Sequence, residues 1–440
     1  MAGASNPSFH VGPGGRLRGR IRVPGDKSIS HRSIMLGAVA EGTTDIGGFL
    51  EGEDSLATLA AFRSLGVVIE GPDAGRIRVH GVGRDGLKPP EAALNLGNSG
   101  TSMRLLAGLL AGQGFAATLV GDDSLSKRPM RRITEPLAAM GAVIETSAQG
   151  TAPLRIQPCP GLSGIRYRMP VASAQVKSCL LLAGLYARGE TCITEPAPTR
   201  DHTERMLQAY GCAVRRSGAS VCIAGGGRLT ACRLDIPADI SSAAFFLVGA
   251  SIAPGSDLLL EHVGMNPTRT GVLSILRAMG ADIEVLGQRD SGGEPVADLR
   301  VRSAPLQGIR IPEERVPLAI DELPVLFIAA ACAEGETLLT GAEELRVKES
   351  DRIQAMAEGL AALGVEVEPR PDGIRIRGGG YGGGRIDSHG DHRVAMSFAM
   401  AALRAGGAIV IADCANVNTS FPGFASLAAQ AGLAIEEAAS

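Results

Sequence analysis

Apolar residues at helical spacing, a glycine, and then a short apolar-alternating segment return together six times along the chain. The copies are LAAFRSLGVVIE (59–70), LAAMGAVIE (137–145), LQAYGCAVR (207–215), LRAMGADIE (276–284), LAALGVEVE (360–368) and LAAQAGLAIE (427–436). Each reads as the last turns of a helix followed by a half-buried strand. The pattern predicts that Gly66, Gly141, Gly211, Gly280, Gly364 and Gly432 end six helices, since glycine takes the left-handed conformation just past a helix terminus without strain. Their period is about 70 to 84 residues, too long for a simple solenoid and long enough for compact subdomains. A second strand is predicted after most copies, at IRVHG from Ile77, LRIQP from Leu154, VCIAG from Val221, LRVRS from Leu299 and IRIRG from Ile374.

An earlier helix precedes each phrase: RSIMLGAVAEG from Arg32, MRLLAGLLAGQG from Met103, KSCLLLAGLYARG from Lys177, SAAFFLVGASIAPG from Ser242, PVLFIAAACAEG from Pro324 and RVAMSFAMAALRAGG from Arg393. These are apolar or small on nearly every side, as helices buried all round must be. The unit therefore reads β-α-β-α-β-β, and the chain is an α/β protein made of six such units.

Polar residues gather just ahead of these helices. The first helices are preceded by Lys27-Ser28, by Asn98 to Thr101, by Ser173 to Gln175, by Asp239 to Ser241, by Asp321-Glu322 and by Asp391-His392-Arg393. The second helices are preceded by Glu53-Asp54, Lys127-Arg128-Pro129, Arg200-Asp201-His202, Asn266 to Arg269 and Lys348 to Arg352. Equivalent ends of a repeat point the same way, so these residues are expected to converge. Helix N-termini favour anions, and Lys or Arg placed there would oppose the helix dipole. Their presence implies a strongly anionic ligand.

Composition narrows the class. A chain of 440 residues with 45% hydrophobic content can bury two cores, and two domains are expected. A formal net charge of -3 argues against a general nucleic-acid binder. No apolar run reaches the ~18 residues of a membrane span, and the N-terminal segment lacks a secretory pattern. The 8 cysteines include no CxxC; Cys179, Cys222 and Cys332 fall in apolar elements and are expected to be reduced, buried thiols.

Each motif has a plain structural reading beside the functional one. PGDKSISHR (24–32) lacks the glycines of a Walker A loop, so Lys27, Ser28 and Arg32 read as a cationic pocket at a helix start, against simple capping by Ser28. LGNSGTSMR (96–104) lets backbone approach a ligand at Gly100, or is an N-cap with a tight turn. SLSKRPM (124–130) sets Lys127 and Arg128 before a helix-initiating Pro129, or is a solvated charge pair. LRVKESDR (345–352) holds Lys348, Glu349, Asp351 and Arg352, which would also serve as a salt-bridged helix start. SHGDHR (388–393) offers His389, Asp391 and His392, but no third cluster supports a metal site. RDHTE (200–204) can cap a helix. Arg16, Arg18, Arg20 and Arg22 read as the solvated face of a strand.

Together these motifs resemble one family, the 5-enolpyruvylshikimate-3-phosphate (EPSP) synthases or 3-phosphoshikimate 1-carboxyvinyltransferases, over essentially the whole chain from PGDKS to TSFPGF. RDHTE, GDKS, SAQVK (173–177) and NPTR (266–269) are similar to the class II branch, which includes glyphosate-tolerant members. The resemblance implies a two-domain inside-out α/β barrel built from six βαβαββ repeats, three per domain. One domain would span 23–236 and the other 1–22 with 237–440, the two closing over substrate in a cleft. It implies transfer of the enolpyruvyl group of phosphoenolpyruvate to the 5-hydroxyl of shikimate 3-phosphate, by addition and elimination, on the route to chorismate and aromatic amino acids.

By the same resemblance Lys27, Ser28, Arg32, Ser173, Ala174, Gln175, Arg200, Asp321 and Lys348 would hold shikimate 3-phosphate. Lys27, Gly100, Arg128, Gln175, Arg352 and Arg393 would hold phosphoenolpyruvate. Asp321 would be the base, and Glu349 with Lys27 the acid. No metal or organic cofactor is implied; a cytoplasmic monomer is, with glyphosate as an inhibitor and neither nucleic acid nor membrane as partner. The chain departs from the family at Thr419, where many members have Lys, and at Ala174, where many have Ser. UDP-N-acetylglucosamine 1-carboxyvinyltransferase is the nearest alternative, but its family carries a reactive Cys in the region of 124–128, where this chain has none. A non-catalytic scaffold for anionic partners would not need Asp321 and Glu349 among so many cations.

Overall fold

The computed structural model describes residues 6–159 and 161–438. The fold is mixed α/β and divides into two compact units. The first comprises Met1–Pro24, Pro237–Asp290 and Pro295–Ser440; the second comprises Gly25–Ile236 and Ser291–Glu294.

One pairing scheme recurs in the sheets of both units. In the second unit, Leu94–Asn95 runs parallel to Ala117–Val120, which pairs antiparallel with Leu154–Ile156, itself antiparallel to Ile144–Glu145. Arg166–Arg168, Glu190–Thr194, Ser220–Ala224 and Val214–Ser217 repeat that scheme. The remaining large sheet of this unit repeats it with a strand from far along the chain: Arg233–Asp235 lies parallel to Ala40–Gly47. In the first unit, Gly384–Asp387 is parallel to Ile409–Ala412, and the early strand Ser8–Val11 sits antiparallel between Ile409–Ala412 and Ile435–Ala438. Arg18–Ile21 runs parallel to Asp257–Gly264. On it Arg18 and Arg20 are exposed, as are Arg16 and Arg22 beside it, the solvated face the alternation predicts.

The apolar helices fill the interiors. Ile240–Ile252 is buried along its whole length, and Leu323–Cys332 along nearly all of it. Around the former, Phe9, Phe245, Phe246, Phe421 and Phe424 form an aromatic cluster, with Phe421 and Phe424 edge-to-face at 5.3 Å. In the second unit Lys27–Val39, Gly100–Leu110 and Ala174–Gly184 form the buried helical layer. The last two touch backbone to backbone, for a Cβ at Gly108 would lie 2.1 Å from the carbonyl oxygen of Cys179. The six helix-ending glycines all have positive φ, from 85° at Gly211 to 117° at Gly432.

Two expectations are corrected. The helix after Lys127-Arg128 does not start at Pro129. Leu125–Lys127 is a single 3-10 turn, Arg128 is extended, and the helix is Arg131–Ala139. Nor are all the thiols reduced: Cys192 and Cys222 stand directly opposite in an antiparallel pair and form a disulfide. They are 30 residues apart, so no local spacing announces the pairing.

The close helix contact yields a stability test. Gly108→Ala should cost about 1–3 kcal/mol, since backbone must move to admit a methyl group. Gly114→Ala, with nothing within 4 Å, should stay within about 0.5 kcal/mol of the parent. Denaturant unfolding of the two variants checks this; equal losses would mean that Gly108 does not set the helix separation.

Candidate active site

In the second unit the starts of the three buried helices carry most of the residues singled out from the sequence. Asp26 caps Lys27–Val39 by accepting the Ile29 N–H at 2.8 Å. Ser99 and Ser173 cap the other two in the same way, from Ser102 and Val176. Side-chain bonds tie these ends together. Arg104 Nη1 donates to Gln175 Oε1 at 2.6 Å, and Gln175 Nε2 to Thr101 Oγ1 at 3.1 Å. Arg128 Nη2 donates to Asn98 Oδ1 at 2.5 Å. A Cβ on Gly100 would lie 3.0 Å from Arg104 Nη1 and 3.2 Å from Arg128 Nη1, so glycine there lets two guanidinium groups close over a helix N-terminus. Lys27 Nζ pairs with Asp54 Oδ2 at 2.9 Å.

Arg32 is almost sealed, at 4% exposed. It donates to Thr203 Oγ1 at 2.6 Å, to the Ser28 carbonyl at 2.9 Å and to Ser178 Oγ at 2.8 Å. All three acceptors are neutral. Burial pushes its pKa down to about 10; Glu204, Asp26 and Glu294 oppose the shift, and the nearby cation Arg200 adds to it. A buried guanidinium whose hydrogen-bond partners are all neutral oxygens, with the charge of Arg200 acting on it as well, makes a place that favours an anion. His31, fully buried, is held well below its ordinary pKa by that burial and then by Lys27 and Arg32. It is neutral at pH 7 and bonds to Thr58 Oγ1 at 2.8 Å.

The segment leading to Arg200 rests on a buried ion cluster. Lys177 is 0% exposed; its Nζ pairs with Glu195 and, at 2.7 Å, with Glu204. Glu195 in turn accepts from the backbone N–H and hydroxyl of Thr199, at 3.1 and 3.0 Å.

In the first unit the residues centre on Arg352, the first residue of the helix Arg352–Ala362. Its guanidinium reaches Asp391 Oδ2 at 2.8 Å, Glu349 Oε2 at 2.6 Å and Asp321 Oδ1 at 3.3 Å, with 1% of the side chain exposed. Burial alone would lower its pKa, but Asp391, Glu349 and Asp321 together raise it above the ordinary value. For Asp391 burial acts to raise the pKa; Arg352 outweighs it and holds the carboxyl below its usual range. Asp391 also caps the helix His392–Ala401 through the Arg393 N–H. Arg393 Nη1 donates to the Asp321 carbonyl at 2.8 Å, and Lys348 Nζ lies 3.7 Å from Asp321 Oδ1. Asp321 is thus ringed by Lys348, Arg352 and Arg393, and Glu349 shares one of those cations. Beneath them Arg269 of the NPTR motif donates to Asp239 Oδ1 at 3.0 Å and Ser241 Oγ at 2.6 Å, and Ser241 bonds to Glu322.

The sequence-predicted residues therefore fall into two groups. Lys27, Ser28, Arg32, Gly100, Arg128, Ser173, Ala174, Gln175 and Arg200 belong to the second unit, and Asp321, Lys348, Glu349, Arg352 and Arg393 to the first. The two histidines of SHGDHR turn to different partners: His389 lies 3.3 Å from Glu358 and His392 3.2 Å from the Ser420 hydroxyl. Thr419 is buried, its hydroxyl donating to the Asn416 carbonyl at 2.7 Å. Sequence reading missed Arg104, one turn into an apolar helix, though an arginine among buried leucines is itself a signal. It also missed the clustering of Lys177 with Glu195 and Glu204.

The sequence profile of the EPSP synthase (3-phosphoshikimate 1-carboxyvinyltransferase) family matches residues 11–427. The chain is 70% identical over 428 residues to the 3-phosphoshikimate 1-carboxyvinyltransferase of Methylococcus capsulatus, covering 97% of this chain and 98% of that one. It is 71% identical to the protein of the same name from Alkalilimnicola ehrlichii, covering 97% and 96%. The solved EPSP synthase of Acinetobacter baumannii superposes with a TM-score of 0.90 at 57% identity, covering 98% of this chain and 100% of that one.

Lys177 gives a direct test of the buried cluster. Lys177→Met leaves Glu195 and Glu204 without their shared cation, and should cost about 3–5 kcal/mol in denaturant unfolding. A loss below about 1 kcal/mol would show that the carboxylates find other neutralisation.

Proposed function

The chain belongs to the EPSP synthase family, and from that premise we propose how its side chains divide the reaction. The reaction is the family's own: the enolpyruvyl group of phosphoenolpyruvate passes to the 5-hydroxyl of shikimate 3-phosphate, and phosphate leaves. The product serves the shikimate pathway to chorismate and aromatic amino acids. The high identity to enzymes of this name does not favour UDP-N-acetylglucosamine as acceptor.

Two phosphates and two carboxylates must be held. In this reading Lys27, Ser28, Arg32, Ser173, Ala174, Gln175 and Arg200, with Asp321 and Lys348, take shikimate 3-phosphate. Lys27, Gly100, Arg128, Gln175, Arg352 and Arg393 take phosphoenolpyruvate. The Arg32–Arg200 neighbourhood supports the first assignment, and the guanidinium pair at Gly100 the second. The recurring strand pairing supports six βαβαββ repeats arranged as two inside-out barrels. One chain supplies every group named, which supports a monomer, and among the described residues no helix is long and apolar enough to cross a membrane; we take the enzyme to be cytoplasmic.

The observation that carries the mechanism is the sharing of Arg352 by Asp321 and Glu349, at 3.3 and 2.6 Å. Ion pairing with Arg352 and Lys348 requires the carboxylate form of Asp321, which is what a base for the 5-hydroxyl must be. As the hydroxyl oxygen bonds to C2 of phosphoenolpyruvate, Glu349 with Lys27 delivers a proton to the methylene carbon. Phosphate then leaves the tetrahedral intermediate, taking up the hydroxyl proton held by Asp321, while a proton of the new methyl group returns to Glu349 and the enol ether forms. A carboxyl that gives and retakes a proton needs a desolvated site, and bound anion competing for Arg352 would release Glu349 from its pair.

Asp321→Asn and Glu349→Gln should each lower turnover by roughly 10²–10⁴-fold, with substrate affinities within an order of magnitude of the parent. A phosphate-release assay with shikimate 3-phosphate measures this; near-native turnover in either variant removes that residue from the mechanism.

Glyphosate, a phosphonate that competes with phosphoenolpyruvate in this family, probes the other group. The methyl of Gly100→Ala must push aside Arg104 and Arg128. Its inhibition constant for glyphosate should rise on the order of tenfold or more, equivalent to about 1.4 kcal/mol, with a smaller rise in KM for phosphoenolpyruvate. Equal inhibition constants in parent and variant would remove Gly100 from the inhibitor's surroundings.

A further inference from the structure

The anion-favouring neighbourhood of Arg32 and Arg200 has a support that comes from far along the chain. His202, two residues after Arg200, opens the helix His202–Ala209, whose N-cap Asp201 makes no capping side-chain bond. The helix start is held instead by tertiary contacts. His202 Nδ1 lies 2.7 Å from Glu294 Oε1, both side chains being more than nine-tenths buried. Thr203 accepts from Arg32 and donates to Ser178 at 2.7 Å. One turn on, Arg205 donates to the Gly293 carbonyl at 3.0 Å and to Asp201 Oδ1 at 2.9 Å. Glu294 and Gly293 belong to the turn Ser291–Glu294, which packs with the second unit although the strands flanking it pair within the first.

A buried carboxylate is costly, and a turn that delivers one beside a histidine must gain something for it. Glu294 pins the residue two places from Arg200, and its charge acts on Arg32 in the sense that partly opposes Arg200. We propose that Glu294, through His202, is a positioning residue that holds Arg200 against Arg32 and so sets the affinity for the phosphorylated shikimate. The inference rests on the assignment of Arg200 to that substrate.

Steady-state kinetics with each substrate varied in turn tests it. Glu294→Ala and His202→Ala should each raise KM for shikimate 3-phosphate about tenfold, corresponding to about 1.4 kcal/mol. Both kcat and KM for phosphoenolpyruvate should stay within about twofold. Glu294→Gln keeps the shape and loses the charge, and should fall between parent and Glu294→Ala. His202→Asn, which retains a hydrogen-bonding amide, should recover most of the loss, and the double alanine variant should be no worse than either single one. A KM for shikimate 3-phosphate within about twofold of the parent in Glu294→Ala and Glu294→Gln overturns the proposal. So does a parallel loss in kcat and both KM values, the mark of a purely structural role. Arg200→Ala is the separate arm: if it leaves KM for shikimate 3-phosphate unchanged, the assignment of Arg200 falls and takes this inference with it. If it raises that KM while the Glu294 variants do not, only the inference falls.

Discussion

A guanidinium buried as deeply as that of Arg352 must be neutralised where it stands, and much of the first unit's polar architecture follows from that need. An isolated ion in such a place would cost several kcal/mol. Three carboxylates meet the demand, and each belongs to a different stretch of chain: Asp321, Glu349 and Asp391. Asp391 has a second duty as the cap of His392–Ala401, and Arg352 itself begins Arg352–Ala362. A single ion pair therefore locks the relative position of two helix N-termini, and Asp321 brings in a third just ahead of Leu323–Cys332. The buried faces of the helices behind these ends are apolar, so their starts are where buried charge can be accommodated.

The second unit treats its deepest arginine differently. Arg32 is met by hydroxyls and a carbonyl, not by a carboxylate in contact. Its pKa of about 10 still leaves it charged at neutral pH, so the positive charge is hydrogen-bonded but poorly cancelled. The two units thus supply different surroundings: one a cation only partly balanced by distant carboxylates and suited to an anionic group, the other a balanced cluster in which carboxylates are held among cations. The acid–base roles proposed for Asp321 and Glu349 fall in the second kind, where a change of the partner an arginine holds would alter how readily a carboxylate takes a proton.

Much of this was legible because glycine and helix caps leave local marks. Gly66, Gly141, Gly211, Gly280, Gly364 and Gly432 were readable as helix ends from the apolar periodicity before them, and all have positive φ. Ser99, Ser173 and Asp391 precede apolar runs and cap them. The start of Arg131–Ala139 was misread because Pro129 is as suited to the extended segment before a helix as to its first turn. What stayed hidden was long-range. Nothing near Cys192 points to Cys222, and nothing near His202 points to Glu294; these pairs exist because of sheet register and a turn, which local pattern does not encode. Arg104 was passed over because its neighbours along the helix are leucines, while its partner Gln175 lies on another helix.

The strand Ser8–Val11 joins its sheet between Ile409–Ala412 and Ile435–Ala438, and this imposes an order on biosynthesis. Its partners are translated roughly four hundred residues after it, which at ~5–20 residues per second is a delay of roughly 20 to 80 s. Through that interval a segment with apolar alternate positions waits with both edges unpaired, a state that invites pairing with other chains. The segment Gly25–Ile236, by contrast, carries its own sheets and is complete in the nascent chain long before those partners emerge. Ser8–Val11 is thus made early and is among the last strands to find its partners.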